Sequence, residues 1–308
     1  MRLNTNLIRR AALAATGAAL TGGTALTAWG NRELENFRLH EVTIPLLAPG
    51  TLRGEATDFR ILHLSDLHML PGQDTKCEWV ASLIDTDPDL VVNTGDNLGD
   101  AKTVPEVLRA LGPLLSRPGL FVFGSNDYWA PRPVNPLGYL AGRKRPVSDV
   151  ELPWRDLRAA FVERGWQDAT HARREFKAGH VRIAAAGVDD PHHDLDDYDT
   201  IAGPPHRDCD LAIALSHAPE PRILQQFADD GYQLALCGHT HGGQLCLPGG
   251  HAIVTNCGIN ARRAKGLSRF GPMHLHVSEG LGTSRYAPLR LFCPPAATLL
   301  RVTELPSA

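Results

Sequence analysis

Five apolar runs in this sequence each stop at residues that can hold a divalent cation. "FRILHL" is followed by Asp66 and His68, and "DLVVNT" by Gly95 and Asp96. "LFVF" is followed by Gly124, Ser125, Asn126 and Asp127. "DLAIAL" leads to His217, and "LALC" leads to Gly238, His239, Thr240, His241 and Gly242. Carboxylates and imidazoles together suit Mn, Fe or Zn. Asp-x-His and His-x-His place two side chains on the same side of an extended backbone, because side chains alternate with period two. Neighbouring glycines let the backbone turn sharply and approach an ion. Any one of these fragments is commonplace at a surface or a helix cap. All five, in this order and each behind an apolar run, indicate one shared metal site.

The elements that must position these residues alternate. "FRILHLS", "DLVVNTG" and "LFVFG" read as buried strands, and between and after them lie helical patterns at 77–84, 104–114 and 154–164. This alternation predicts α/β units. The second half is richer in strands: 181–187, 210–216, 233–238, 251–257, 273–278 and 297–303, with one helix at 221–229. Two packed sheets flanked by helices accommodate this mixture. In open α/β sheets, ligands bind beyond the carboxyl ends of the strands, so the five motifs can meet there.

The order Asp-x-His, Gly-Asp, Gly-x-x-Asp, His, Gly-His-x-His resembles the calcineurin-like metallophosphoesterase family. "HLSDLH", "NTGDN" and "GHTHGGQ" carry the resemblance, which runs from about Phe59 to Val302. It implies a four-layer α/β/β/α sandwich over 58–304. It also implies two divalent ions (Mn, Fe or Zn). Asp66, His68 and His241 would hold one, His217 and His239 the other, with Asp96 bridging. The implied activity is hydrolysis of phosphate ester or pyrophosphate bonds by a metal-bridging hydroxide. With its N-terminus and the tail "EGLGTSRYAPLRLFCPP", the chain looks similar to the membrane-associated and exported bacterial branch. A lipid-linked nucleotide of the UDP-diacylglucosamine type is one substrate this implies. A non-catalytic metal- or phosphate-binding module is the alternative.

One motif departs from the family. Gly124-Ser125-Asn126-Asp127 stands where the family has Gly-Asn-His-Asp. Without a gap, Ser125 replaces the metal-binding Asn, and Asn126 the His that assists the leaving group. With a one-residue insertion, Asn126 keeps the ligand role and Asp127 replaces the His. An amide cannot give a proton to a leaving alkoxide at neutral pH. The expectation is a live hydrolase that favours leaving groups needing no proton. His192 or His193 in "GVDDPHHDLDDYD" could substitute as acid, against the default of a solvated loop.

The chain has 308 residues and a formal net charge of -3, which gives no general attraction to nucleic acid. Arg2, Arg9 and Arg10 precede an uncharged run, 11–30, about long enough to span a bilayer. Signal-anchor helix, cleaved export signal and soluble helix all remain open for residues 1–30. The first two put the domain outside the cytoplasm, tethered to a membrane or exported in soluble form. Residues 31–57 read as a connector ending in a strand. The segment 131–147 is proline-rich and basic, either a solvated excursion or a rim for an anionic substrate. None of the six cysteines forms a C-x-x-C pair, so they read as small buried hydrophobes, with a disulfide among Cys237, Cys246 and Cys257 if exported.

Overall fold

The computed structural model describes residues 27–133 and 148–306. Most of the N-terminal segment expected at 1–30 therefore lies outside the described residues, as does most of the basic segment 131–147. Among the described residues, no helix is long and apolar enough to cross a membrane.

Along the chain the strands are β1 (Arg38–Leu47), β2 (Phe59–Leu64), β3 (Leu90–Asn93), β4 (Gly119–Phe121), β5 (Gln167–Asp168), β6 (Ala172–Ala178) and β7 (Val181–Gly187). They continue as β8 (Leu211–Ser216), β9 (Leu234–Cys237), β10 (Cys246–Leu247), β11 (His251–Ala252), β12 (Gly266–Phe270), β13 (Met273–Val277) and β14 (Ala296–Glu304). The longer helices are α1 (Asp74–Ser82), α2 (Val104–Leu111), α3 (Trp154–Glu163) and α4 (Pro221–Asp229). Two six-stranded sheets result, ordered β1-β14-β2-β3-β4-β5 and β12-β13-β9-β8-β7-β6. β2, β3, β4 and β5 run parallel to one another, as do β7, β8, β9 and β13.

Three apolar layers separate the sheets and helices. Between the sheets, Ile61, Leu90, Val92 and Leu300 meet Ile183, Ile213, Leu215 and Leu236. On the outer face of the first sheet, Leu62, Leu64 and Phe121 join Val80 of α1, Val107 of α2 and Phe161 of α3. On the outer face of the second, Ala212, Ala235 and Leu275 join Ile223, Leu224 and Phe227 of α4. The layer order is helix, sheet, sheet, helix. α2 and α4 bury residues three to five apart, the spacing of one helical face, and each carries a proline in its first turn, where the missing N–H costs nothing.

Several segments differ from the sequence reading. Only His251 and Ala252 of the strand expected at 251–257 are extended. β6 and β12 alternate between half-buried and exposed residues, so their apolar runs are too short to stand out. Within the connector 31–57, β1 is an edge strand of the first sheet, parallel to β14. All six cysteines are free, so no disulfide joins Cys237, Cys246 or Cys257.

Candidate metal centre

Each of the five motifs follows the carboxyl end of its strand. The backbone then bends into the left-handed region at Asp66 (φ 53°), His68 (φ 40°), Asp96 (φ 56°), His239 (φ 69°) and His241 (φ 50°). Non-glycine residues adopt that region at a cost, and such strain gathers at functional sites. Close approach is kept open by small residues. A Cβ on Gly124 would collide with Asp96 Oδ1 and stand 2.7 Å from the His217 ring.

Two groups of side chains converge: Asp66, His68 and His241, and Asp66, Asp96 and His217. Within each, the candidate ligand atoms lie within 4.8 Å of one another. Asp96 Oδ2 is 3.4 Å from both His68 Nε2 and His217 Nε2. His68 Nε2 faces His241 Nε2 at 3.2 Å, and His241 Nε2 is 3.6 Å from Asp66 Oδ1. His239 belongs to neither group, although its ring centroid is 5.3 Å from that of His217. Its backbone N–H donates to Asp66 Oδ2 at 3.0 Å.

These groups fit divalent ions. His217 Nε2 is buried with no hydrogen-bond partner. His217 and His241 are oriented from behind: Nδ1 of His217 meets Thr94 O at 2.7 Å, and Nδ1 of His241 meets Gly282 O at 3.0 Å. Such contacts fix the ring and leave Nε2 free for a metal. Burial pushes the His68 imidazole down to about 4 and holds His239 and His241 low as well. Neutral imidazoles are the form a cation needs. Burial raises Asp66 to about 6, helped by the nearby Asp96 carboxylate. Burial would lower His217, but the carboxylates of Asp96, Asp190 and Asp66 outweigh it and hold it well above the ordinary range. Two buried carboxylates this close call for positive charge between them.

The polar residues of Gly-Ser-Asn-Asp have different partners in the structure. Asp127 is fully buried and accepts from the backbone N–H groups of Asp96 (2.7 Å), Asn97 (2.8 Å) and Gly124 (3.0 Å). It ties the loop after β3 to the loop after β4. Its carboxylate is engaged with the scaffold. Asn126 is the residue that enters the site, its Nδ2 donating to Asp96 Oδ2 at 2.7 Å. The Ser125 N–H points elsewhere, to Asp190 Oδ2 at 3.1 Å.

Sequence reasoning missed several supports. Asp190 and His192, read as part of a solvated loop, are buried. The His192 ring packs 4.4 Å from that of His239. Arg290 is fully buried behind His241, and a lone cation inside "APLRLFCPP" was its only signal. Lys76 is buried too, and its Nζ donates to Leu67 O (2.9 Å), the carbonyl between Asp66 and His68. Burial pushes its ammonium down to about 7. The unfolded chain therefore holds this proton between about pH 7 and about pH 10.4, while the folded chain has released it. Stability should rise with pH through that window. The cost of the buried charge is full below it. In Lys76→Met the pH-dependent rise in melting temperature should be shallower than in the wild type. Parallel slopes in the two proteins would refute this.

The fold and the converging carboxylate–imidazole groups define a metal-dependent type of hydrolase site. Residues 59–243 match the family model described as calcineurin-like phosphoesterase, and the chain belongs to that family. It is a metal-dependent phosphohydrolase. It is 28% identical over 260 residues to the phosphodiesterase YaeI of Escherichia coli, covering 81% of this chain and 84% of that one. It is also 28% identical over 305 residues to the uncharacterized metallophosphoesterase YkuE of Bacillus subtilis, covering 94% and 96%. A third relative, YkoQ of Bacillus subtilis, is 28% identical over 233 residues, covering 72% and 76%.

Proposed function

We propose that this chain hydrolyses phosphodiester or pyrophosphate bonds with two divalent ions held by Asp66, His68, Asp96, His217, His239 and His241, with Asn126 at their edge. The observation that carries this reading is Asp96 Oδ2, equidistant at 3.4 Å from His68 Nε2 and His217 Nε2. The ions would supply an activated water and neutralise charge on the phosphoryl oxygens. The chain's own contribution is orientation. Gly282 O and Thr94 O fix two imidazoles, and the Asp127 carboxylate locks the Asp96 and Gly124 loops together.

Asn126 sets the leaving-group demand. Its amide can hydrogen-bond but cannot act as an acid. Substrates that release an anion needing no proton are therefore favoured. Pyrophosphate cleavage of a lipid-linked nucleotide, such as a UDP-diacylglucosamine-type molecule, is of this kind. The uncharged run 11–30 behind three arginines supports a membrane tether, with the domain on the extracytoplasmic side.

The test is turnover of bis-p-nitrophenyl phosphate by the full chain purified with Mn²⁺, with bound metal counted. Activity should vanish on chelation and return with Mn²⁺. Two bound ions without turnover of any activated ester would leave only the binding-module alternative.

A further inference from the structure

A buried row of hydrogen bonds runs from the space between the sheets to Asp66. His276 on β13 meets His63 on β2, Nδ1 to Nδ1, at 2.9 Å. His63 Nε2 lies 3.0 Å from Thr94 Oγ1, and Thr94 Oγ1 lies 2.7 Å from Ser65 Oγ. Ser65 Oγ in turn lies beside the Asp66 carboxylate, since a Cβ placed on Gly238 would meet both. His63, Ser65 and Thr94 have no exposed surface, and His276 has 1%. Nothing about packing two sheets requires two histidines and two hydroxyls in their core. Buried polar groups of this kind are retained where each is satisfied and the row has a terminus.

The direction of the row is forced by its last member. An ionised carboxylate only accepts. Ser65 therefore spends its single proton on Asp66, and its oxygen must accept from Thr94. Thr94 has then spent its proton, so its oxygen must accept from the Nε2–H of His63. With that proton on Nε2, neutral His63 must accept at Nδ1, and His276 donates from its own Nδ1–H. Burial keeps both imidazoles neutral, holding His63 far below the ordinary range and His276 at about 3. Every donor in the row points toward Asp66. Reversing the row would set the Ser65 oxygen against the ionised Asp66 carboxylate, acceptor against acceptor.

We infer that His276, His63, Thr94 and Ser65 form a one-way positioning relay that orients the Asp66 carboxylate for metal. Thr94 is its key member. Its hydroxyl serves Asp66 through Ser65, while its backbone carbonyl holds His217 Nδ1 at 2.7 Å. One residue thus sets a side chain in each of the two converging groups. The collision of any Cβ on Gly238 with Ser65 Oγ, and its 2.6 Å approach to Asp66 Oδ2, show how closely this corner is packed. The relay rests on Asp66 being a metal ligand, as proposed above.

The experiment measures zinc affinity by competition titration on the full chain, with the melting temperature of the metal-free protein as the structural control. Thr94→Val keeps the side-chain shape and the backbone carbonyl but removes the hydroxyl. It should weaken zinc binding about 10- to 100-fold, the usual effect of losing a partner behind a ligand. Thr94→Ser should restore wild-type affinity. Ser65→Ala, one link further on, should reproduce the loss if Thr94→Val does not fold. In the zinc-loaded wild type, ¹⁵N-labelled histidine should show the His63 proton on Nε2 and the His276 proton on Nδ1. Unchanged affinity in both variants, or the His63 proton on Nδ1, overturns the relay while leaving the metal centre standing. Failure of the wild type to bind zinc or Mn²⁺ overturns the metal centre itself, and the relay with it.

Discussion

Asp96→Ala should lower turnover of an activated phosphodiester by about 1,000-fold or more, because it removes the carboxylate oxygen that both His68 and His217 face. Asp96 Oδ2 is the atom that His68, His217 and Asn126 all approach, at 3.4, 3.4 and 2.7 Å. Without it the His68 and Asn126 side chains face each other across a gap, and His217 keeps only Thr94 O. The cost should fall on metal content and on folding. Burial would raise the Asp96 carboxyl, but the His217 and His68 imidazoles outweigh it and hold it well below the ordinary range. Deleting Asp96 strips the buried His217 imidazole of its main counter-charge. The metal-free variant should melt below the wild-type temperature, and the wild type should gain more stability on adding Mn²⁺. Melting curves with and without metal, run beside the activity assay, check both halves. Turnover within tenfold of wild type would sink the bridging role.

The second large effect is on stability. Arg290→Leu should cost roughly 3–5 kcal/mol, the usual consequence of emptying a buried charged hydrogen-bond centre. Arg290 has no exposed surface. Its Nη2 donates to Gly282 O (2.8 Å), Glu279 O (2.9 Å) and Gly280 O (3.0 Å), and its Nη1 to Cys293 O (3.1 Å). Among the described residues it has no carboxylate within ion-pair distance, so carbonyl dipoles hold the charge. A leucine would leave the Glu279 and Cys293 carbonyls without a donor, while Gly280 O keeps the Ala296 N–H and Gly282 O keeps His241 Nδ1. For a domain of this size the loss corresponds to a melting-temperature drop of roughly 6–20 °C. The effect should reach the metal centre as well. Gly282 O, which Arg290 holds, is the acceptor that orients His241. Metal counts on folded protein below the new melting temperature should therefore fall. A variant melting within 2 °C of wild type, a shift of about 1 kcal/mol or less, would show that the carbonyls find other partners.

How much of the centre was legible follows from how locally each part is encoded. Asp66 and His68 lie within four residues of the end of β2, and His239 and His241 within four of the end of β9. An apolar run, a glycine and a period-two pair are all short-range signals, readable from one sequence. The partners that hold them are long-range. His63 and His276 are 213 residues apart, Asp127 and Asp96 are 31 apart, and Arg290 and His241 are 49 apart. Which of Ser125, Asn126 and Asp127 enters the site was undecidable from spacing. The single helical turn Ser125–Tyr128 points successive side chains in different directions, and only its docking selects one.

The sequence by itself determined the alternation of strands and helices, the residues at the strand ends, and the metal chemistry those residue types permit. These are properties of a few neighbouring residues and of burial pattern. The tertiary structure alone decided that β14, the last strand, sits between β1 and β2, and that Asp127 serves the backbone while Asn126 serves Asp96. It also decided that two histidines on different sheets meet in the core. Each of these depends on which strand ends the packing of two sheets brings face to face, and that packing is set by the whole inter-sheet layer at once.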